Sequence, residues 1–222
     1  KLLSDDPLKA LNDDNPLARS EVMRGLSEAM GQAKTSITLI SPYFVPGDAG
    51  TDSLVDTVAR GKAVSILTNS LAANDVAAVH GGYSKYRPRL VDGGVALWEL
   101  KPDPGHAVNR SLFGSSGASL HTKAAMIDDA TVFVGSFNLD PRSVSLNTEQ
   151  GVLATHPVLA EELAHIFDRS TRGNRAWQVG RDPDGKLQWS DGKTTVQMEP
   201  DANLGRRIIA KVMRWLPFDS QL

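Results

Sequence analysis

The first hundred residues alternate three times between a segment of helical periodicity and a short run rich in β-branched and aromatic residues. In each pair, the apolar side chains of the first segment recur every three or four positions, and the second segment is mostly apolar. The pairs are residues 22–33 with 37–45, 51–60 with 64–68, and 75–91 with 95–100. Parallel strands need a crossover segment between them, which is usually a helix. We therefore predict an α/β fold with a mixed, mostly parallel sheet flanked by helices.

The second half of the chain predicts a hairpin, a long amphipathic helix and a region of short strands. Two strand-like runs, 123–127 and 131–137, are separated by Asp128-Asp129, which favours a tight turn. A strand at 151–155 precedes an amphipathic helix at 157–170. From residue 176 onward, short alternating strands joined by turn sequences predict a β-meander, and a basic amphipathic helix follows from about residue 202.

Composition and charge exclude several classes of protein. The 222 residues include no cysteine, which excludes a disulfide-built scaffold and a cysteine-ligated zinc site. A formal net charge of −2 argues against a broad nucleic-acid-coating surface, so we expect no nucleic-acid partner. No apolar run approaches the roughly 18 residues needed to cross a bilayer. The chain begins at Lys1 with an acidic, turn-rich stretch, which predicts a linker over residues 1–18 that follows a missing N-terminal half.

Four polar residues near the predicted hairpin are spaced so that they can converge on a small anion. His121 and Lys123 lie two positions apart on a strand, so their side chains project on the same face. Ser136 and Asn138 share a face in the same way on the following strand. A lone His and Lys on a strand are most often solvated edge residues, but their combination with Gly-Ser-x-Asn at a fixed distance favours a functional site.

The pattern His-x-Lys-x4-Asp-x6-Gly-Ser-x-Asn over residues 121–138 resembles the signature of the phospholipase D superfamily. Residues 41–47, 79–87 and 138–143 are similar to the bacterial cardiolipin synthase branch, and residues 215–222 resemble the end of its C-terminal half. The resemblance implies a phospholipase D-like sandwich, with a catalytic domain at 19–172. Residues 173–222 would then form a small β-meander and a terminal basic helix.

The resemblance also implies phosphatidyl transfer between phospholipids through a phosphohistidine intermediate. His121 would be the nucleophile, and Lys123 and Asn138 would bind the phosphate oxygens with help from Ser136. Glu149 would accept the other ring N–H of His121 and fix its tautomer. The resemblance also implies phosphatidylglycerol, and also phosphatidylethanolamine, as candidate substrates, with the protein peripheral on the cytoplasmic face of the inner membrane. We expect neither a metal nor another cofactor.

Other candidate residues have a structural alternative. Asp128 belongs to the motif and is thus a catalytic candidate, but strand parity directs it to the other face, which favours a structural role. Tyr43, His80 and Tyr83 could line a substrate mouth, or they could belong to ordinary helix packing. The terminal helix could lie on an anionic membrane, or it could dock on the body with a solvated basic flank.

The chain departs from the family in one respect: it contains a single His-x-Lys motif, whereas family enzymes use two. The second would come from a missing N-terminal half or from a second copy across a twofold axis. Two alternative activities stay open. Water as the acceptor would make the protein a phospholipase D hydrolase, and pairing of two copies fits a single-motif phosphodiesterase or nuclease.

Overall fold

The computed structural model describes residues 1–11, 20–102 and 120–214, and ten strands within them form one mixed sheet. The strand order across the sheet is β1-β7-β6-β5-β2-β3-β4-β8-β9-β10. The strands are β1 (Leu2–Ser4), β2 (Ser36–Ile40), β3 (Ala63–Asn69), β4 (Ala96–Leu100), β5 (Ala124–Ile127), β6 (Thr131–Gly135), β7 (Gln150–Thr155), β8 (Ala176–Arg181), β9 (Leu187–Ser190) and β10 (Thr195–Val196).

Helices cover both faces of this sheet. They are α1 (Glu21–Gly31), α2 (Gly47–Ala59), α3 (Ala77–Ser84), α4 (Arg87–Asp92), α5 (Pro141–Ser145), α6 (Pro157–Thr171) and α7 (Leu204–Met213), with a 3₁₀ turn at Lys9–Leu11. Leu39 and Ile66 belong to the core on one face, whereas the next residues, Ile40 and Leu67, belong to the core under α6. Central strands buried on both faces have nearly continuous apolar sequences, which explains the apolar runs at these strands. None of the helices described has the length and hydropathy needed to cross a bilayer.

The predicted α/β fold with a mixed sheet and flanking helices is confirmed, but parallel pairing is confined to its centre. In the described part of the chain, β2–β3 and β3–β4 pair parallel, and the other seven pairings are antiparallel. The expectation of a mostly parallel sheet is thus corrected. The helix–strand repeats provide the crossovers that join β2 to β3 and β3 to β4 in parallel. The short connections between β5 and β6, β8 and β9, and β9 and β10 permit only antiparallel pairing of these neighbours.

The N-terminal residues differ from the predicted linker. Residues 2–4 form β1 at the edge of the sheet, where they pair antiparallel with β7. The buried carboxylate of Asp5 forms an ion pair with buried Lys9. It also accepts hydrogen bonds from Ser20 Oγ (3.0 Å), from Val22 N (3.1 Å) and from Glu149 N (3.2 Å). This segment therefore holds together α1 and the start of β7. Residues 12–19 lie outside the described chain.

The predicted C-terminal meander extends the main sheet. Strand β8 pairs antiparallel with β4, and β9 and β10 follow it at the same edge. Buried Trp189 on β9 donates its indole N–H to Glu99 on β4 at 3.0 Å, which ties the added strands to the α/β core. The predicted ending at residues 215–222 lies outside the described residues, as does the Gly- and Ser-rich stretch 103–119.

Candidate active site

His121 and Lys123 lie directly before β5, at one end of the sheet. The Lys123 ammonium donates to the backbone oxygen of His121 at 2.9 Å, and the His121 side chain is exposed. Burial lowers the pKa of half-buried Lys123, and the nearby carboxylates of Glu149, Asp140 and Asp75 oppose that shift. Lys123 is therefore a partly desolvated cation beside three carboxylates, next to an accessible imidazole.

Ser136 and Glu149 meet where β6 and β7 pair. The Ser136 hydroxyl donates to the carboxylate of buried Glu149, and it accepts from the N–H of Gln150 at 3.1 Å. A Cβ on Gly135 would lie 2.4 Å from the Gln150 oxygen and 2.7 Å from the Gly151 Cα. Only glycine allows this close approach of the two strands. The Gly-Ser pair of the motif therefore brings the serine hydroxyl onto Glu149.

Asn138 and Asp140 occupy the loop between β6 and α5. The Asn138 N–H donates to Ser143 Oγ at 3.3 Å, and its buried side-chain oxygen has no hydrogen-bond partner among the described residues. Asp140 caps α5 by accepting from the Ser143 N–H at 2.7 Å. Burial raises the pKa of Asp140, although its hydrogen bonds to Ser143 oppose the shift. The amide of Asn138 is thus fixed through its backbone, and its oxygen remains unused.

Tyr43 and Asp75 form a second hydrogen-bonded pair near Lys123. The Tyr43 hydroxyl donates to Asp75 Oδ1 at 2.6 Å. Burial and the neighbouring Asp75 carboxylate raise the pKa of Tyr43 above its usual range. The structure thus associates Tyr43, one of the predicted mouth residues, with the Lys123 cluster. Sequence reasoning missed Asp75, because it lies in no motif, and it missed Asp140, although Asp140-Pro141 is a common helix start.

Comparison with known proteins identifies the family of this chain. Residues 26–171 match the protein family described as "Cardiolipin synthase, PLD-like domain". The chain belongs to this phospholipase D-like family. It is 40% identical to "Cardiolipin synthase C" of Escherichia coli (strain K12) over 226 residues, which cover 99% of this chain and 47% of that protein. The chain therefore spans about half the length of this curated relative.

Solved structures share the fold at low sequence identity. The Nuc phospholipase D family member from Salmonella typhimurium superposes with a TM-score of 0.57 at 21% identity, over 81% of this chain and 98% of that one. Phosphatidylserine synthase from Haemophilus influenzae Rd KW20 gives a TM-score of 0.54 at 16% identity, over 73% of this chain and 37% of that one. The phospholipase D-like fold predicted from the motif is thus confirmed.

Asp128 lies at the end of β5 opposite to His121, so the structure does not bring it to the candidate site around Lys123. Its carboxylate accepts from the backbone N–H groups of Lys34, Thr35 and Ser36 at 2.7–3.1 Å, and from the Thr35 hydroxyl at 3.0 Å. These hydrogen bonds hold the pKa of Asp128 well below its usual range, and the bond from the Thr35 backbone N–H contributes most to the shift. This carboxylate fixes the chain at the start of β2.

His80 and Tyr83 face the interior. His80 Nε2 lies 2.7 Å from Arg87 Nη2 and 3.2 Å from Glu199 Oε2, and the His80 side chain is completely enclosed. Buried Tyr83 donates its hydroxyl to Glu99 Oε1 at 2.9 Å, and the Arg87 guanidinium stacks over its ring. The structure therefore places two of the predicted mouth residues in a buried network that binds α3 to the later strands.

That network also contains a group of possible metal ligands. His80, Glu99 and Glu199 each offer a ligand atom, and these atoms lie within 4.8 Å of one another. However, Arg87 Nη1 donates to Glu199 Oε1 at 2.7 Å, and Arg87 Nε lies 2.9 Å from Glu99 Oε1. Burial raises the pKa of Glu199, but Arg87 and His80 outweigh it and hold that pKa low. The guanidinium already supplies the positive charge that a metal ion would bring, so these residues do not fit a metal.

Proposed function

We propose that this chain supplies a catalytic half-site of a cardiolipin synthase, which transfers a phosphatidyl group between phospholipids through a phosphohistidine. The observation that supports this most strongly is the cluster around Lys123, in which one cation lies beside an accessible imidazole and buried carboxylates. A phosphodiester is an anion that repels nucleophiles, so its cleavage needs a nucleophile and a fixed positive charge together.

In the first displacement, a ring nitrogen of His121 attacks phosphorus, and the bond from phosphorus to the oxygen of the leaving alcohol breaks. The alcohol takes a proton from a general acid as it leaves. Lys123 and the Asn138 amide stabilise the non-bridging oxygens, where negative charge develops in the transition state. The side-chain NH2 group of Asn138 is the donor in this role, and the hydrogen bond from the Asn138 backbone N–H to Ser143 Oγ at 3.3 Å supports it by fixing the position of the residue.

In the second displacement, the hydroxyl of an acceptor lipid attacks the phosphohistidine and gives up its proton to a base. The bond from phosphorus to nitrogen breaks, and His121 is restored. With phosphatidylglycerol as acceptor the product is cardiolipin, and with water it is phosphatidic acid. The name of the Escherichia coli relative favours lipid transfer.

Glu149 is the residue that we assign to orient His121. A carboxylate that accepts one ring N–H leaves the other nitrogen free to attack. The hydrogen bond from Ser136 and the backbone bond from Glu149 to Asp5 support this role, since both restrict the position of the Glu149 carboxylate. Ser136 thereby connects the phosphate-binding side of the site to its orienting group.

The leaving alcohol needs a general acid. This sequence contains one His-x-Lys motif, and its histidine is the nucleophile, so a second histidine has to supply the acid. We propose that a second His-x-Lys half provides it, either elsewhere in the same polypeptide or in a second copy of the chain. Phosphatidylglycerol and phosphatidylethanolamine are the proposed substrates. The protein would act while peripherally bound to the cytoplasmic face of the inner membrane.

Lipid mass spectrometry after incubation with vesicles of phosphatidylglycerol and phosphatidylethanolamine tests this function. The protein with both His-x-Lys halves, as the whole polypeptide or as a pair of copies, should form cardiolipin, and its His121→Ala variant should form none. His165→Ala is the matched control, because His165 is an exposed histidine on α6 and should leave the product unchanged. Phosphatidic acid as the sole product would identify water as the acceptor. Cardiolipin formed by His121→Ala would refute the proposed role of His121.

A further inference from the structure

Helix α7 exposes a row of apolar side chains although the helix is docked on the body. Leu204, Ile208 and Val212 are 72%, 54% and 53% exposed. Their spacing of four residues places them along one side of the helix. The other side is buried through Arg206 and Ala210. The three exposed residues are called the α7 stripe below.

The docking of α7 on α3 is tight, so the stripe is held in a fixed position. A Cβ on Gly81 of α3 would lie 2.7 Å from Met213 Cβ and 2.8 Å from the Ala210 oxygen. The buried Arg206 guanidinium donates to backbone oxygens of residues 71–74. Arg206 is therefore part of the anchor and is not available to lipid headgroups.

The charge around the α7 stripe is positive. No acidic residue occurs from residue 204 to 214. Nearby Glu199 pairs with Arg87, and Asp201 accepts from the indole N–H of Trp177 at 3.2 Å. The exposed basic residues on this part of the helix are Lys211 and Arg214, whereas the half-buried Arg207 donates to the backbone oxygen of Glu199 at 2.7 Å.

We propose that α7 is a membrane-docking helix, with its stripe inserted into an anionic phospholipid surface and its basic residues on the headgroups. Charge complementarity selects this occupant, because a row of apolar side chains within a segment that carries cations and no acidic residue from 204 to 214 matches a surface of anionic lipid. The inference rests on the proposed function, in which the substrate is itself a membrane lipid. The anchored residues 71–74 directly precede Asp75, the partner of Tyr43. Docking of α7 would thus carry the site toward the lipid.

A fluorescent probe at a single cysteine tests the insertion, since the chain has no native cysteine. Ile208→Cys is labelled with an environment-sensitive fluorophore and mixed with vesicles of phosphatidylglycerol and phosphatidylcholine, or of phosphatidylcholine alone. We expect a blue shift only with the anionic vesicles. Val158→Cys, which replaces a 56% exposed residue on α6, is the matched control and should show no shift. An unshifted probe at residue 208 would overturn the proposal.

Vesicle sedimentation with unlabelled variants provides a second measurement. Ile208→Asp, or Lys211→Gln combined with Arg214→Gln, should lower partitioning onto phosphatidylglycerol vesicles by about tenfold. Val158→Asp should bind as the wild type does, and circular dichroism should show each variant folded. If Ile208→Asp binds vesicles as the wild type does, membrane docking is overturned. This holds also if light scattering shows that the substitution splits a dimer, because the stripe would then be an interface between copies of the chain. Binding that depends on Ile208 without any lipid transfer would uphold docking and refute the proposed function instead.

Discussion

Replacing Asp128 with asparagine should destabilise the chain and leave the chemistry of the site intact. The carboxylate accepts from four donors, namely three backbone N–H groups and the Thr35 hydroxyl. Asparagine keeps one oxygen, but its amide nitrogen would replace the second oxygen, which accepts from Lys34 N at 2.8 Å. The variant therefore loses the negative charge, and its side-chain NH2 group faces the Lys34 N–H, so that two donors oppose each other.

The magnitude follows from the strength of these bonds. A hydrogen bond to a charged group contributes about 1.5–3 kcal/mol, and a neutral one contributes about 0.5–1.5 kcal/mol. Lys34 and Thr35 are exposed, so water replaces part of what is lost. We therefore expect the free energy of unfolding to fall by only about 2 kcal/mol in total. For a chain of this size, that lowers the Tm by about 4–8 °C.

Urea unfolding followed by circular dichroism measures the change, with Asp129→Asn as the control. Asp129 also has a positive φ, of 51°, so its variant removes the same charge from the same turn. Its carboxylate accepts no hydrogen bond within the described chain, and a change within about 0.5 kcal/mol is expected. Equal stability of the two variants would refute the role given to Asp128. So would loss of lipid transfer by a fully stable Asp128→Asn protein.

The difference in stability between the wild type and Asp128→Asn should depend on pH. Backbone N–H groups hold the pKa of Asp128 below its unfolded value, so its stabilisation is complete above the unfolded pKa of about 4. The stabilisation is lost as pH falls from there through the folded pKa. The difference in unfolding free energy between wild type and Asp128→Asn should be constant from about pH 5 to 8 and narrow below about pH 4. A difference that grows in acid would contradict this reasoning.

Three further substitutions test separate parts of the account. Gly135→Ala should lower the free energy of unfolding by about 2 kcal/mol or more, because its Cβ meets the backbone of β7; an unchanged thermal melt would contradict this. Lys9→Met should lower the free energy of unfolding by about 3–5 kcal/mol, because it leaves the buried Asp5 charge unpaired. In urea unfolding, the double variant Lys9→Met/Asp5→Asn should recover part of this lost free energy. Glu149→Gln should slow lipid transfer by about a hundredfold through His121, with little change in KM, and a pure KM effect would argue for substrate binding instead.

Periodicity in the sequence predicted the elements of the core but not the pairing of its edges. The helix–strand repeats and the hairpin of β5 and β6 follow from local pattern and turn chemistry. The role of residues 1–11 depends on contacts across the chain, because Asp5 and Lys9 reach the residues around Glu149 and Ser143. An acidic, turn-rich composition does not predict such long-range contacts.

The residues of the candidate site also divide into those that a local pattern indicates and those that depend on contacts distant in sequence. His121, Lys123, Ser136 and Asn138 lie within one short motif, so their spacing alone predicts that they share a site. Asp75 approaches from a separate loop, and no local signal links it to Lys123. The enclosed positions of His80 and Tyr83 depend on Glu99 and Glu199, and polar or aromatic residues on a helix look the same whether they line an opening or pack inside.

The most direct test of the central claim is a search for the covalent intermediate. The protein is mixed with phosphatidylglycerol vesicles and quenched at successive times, and its peptides are analysed by mass spectrometry under conditions that preserve phosphohistidine. A phosphatidyl adduct should appear on His121 before product accumulates, and it should be absent from His121→Ala. Lipid transfer that proceeds with no adduct on His121, and at an undiminished rate in His121→Ala, would contradict the account.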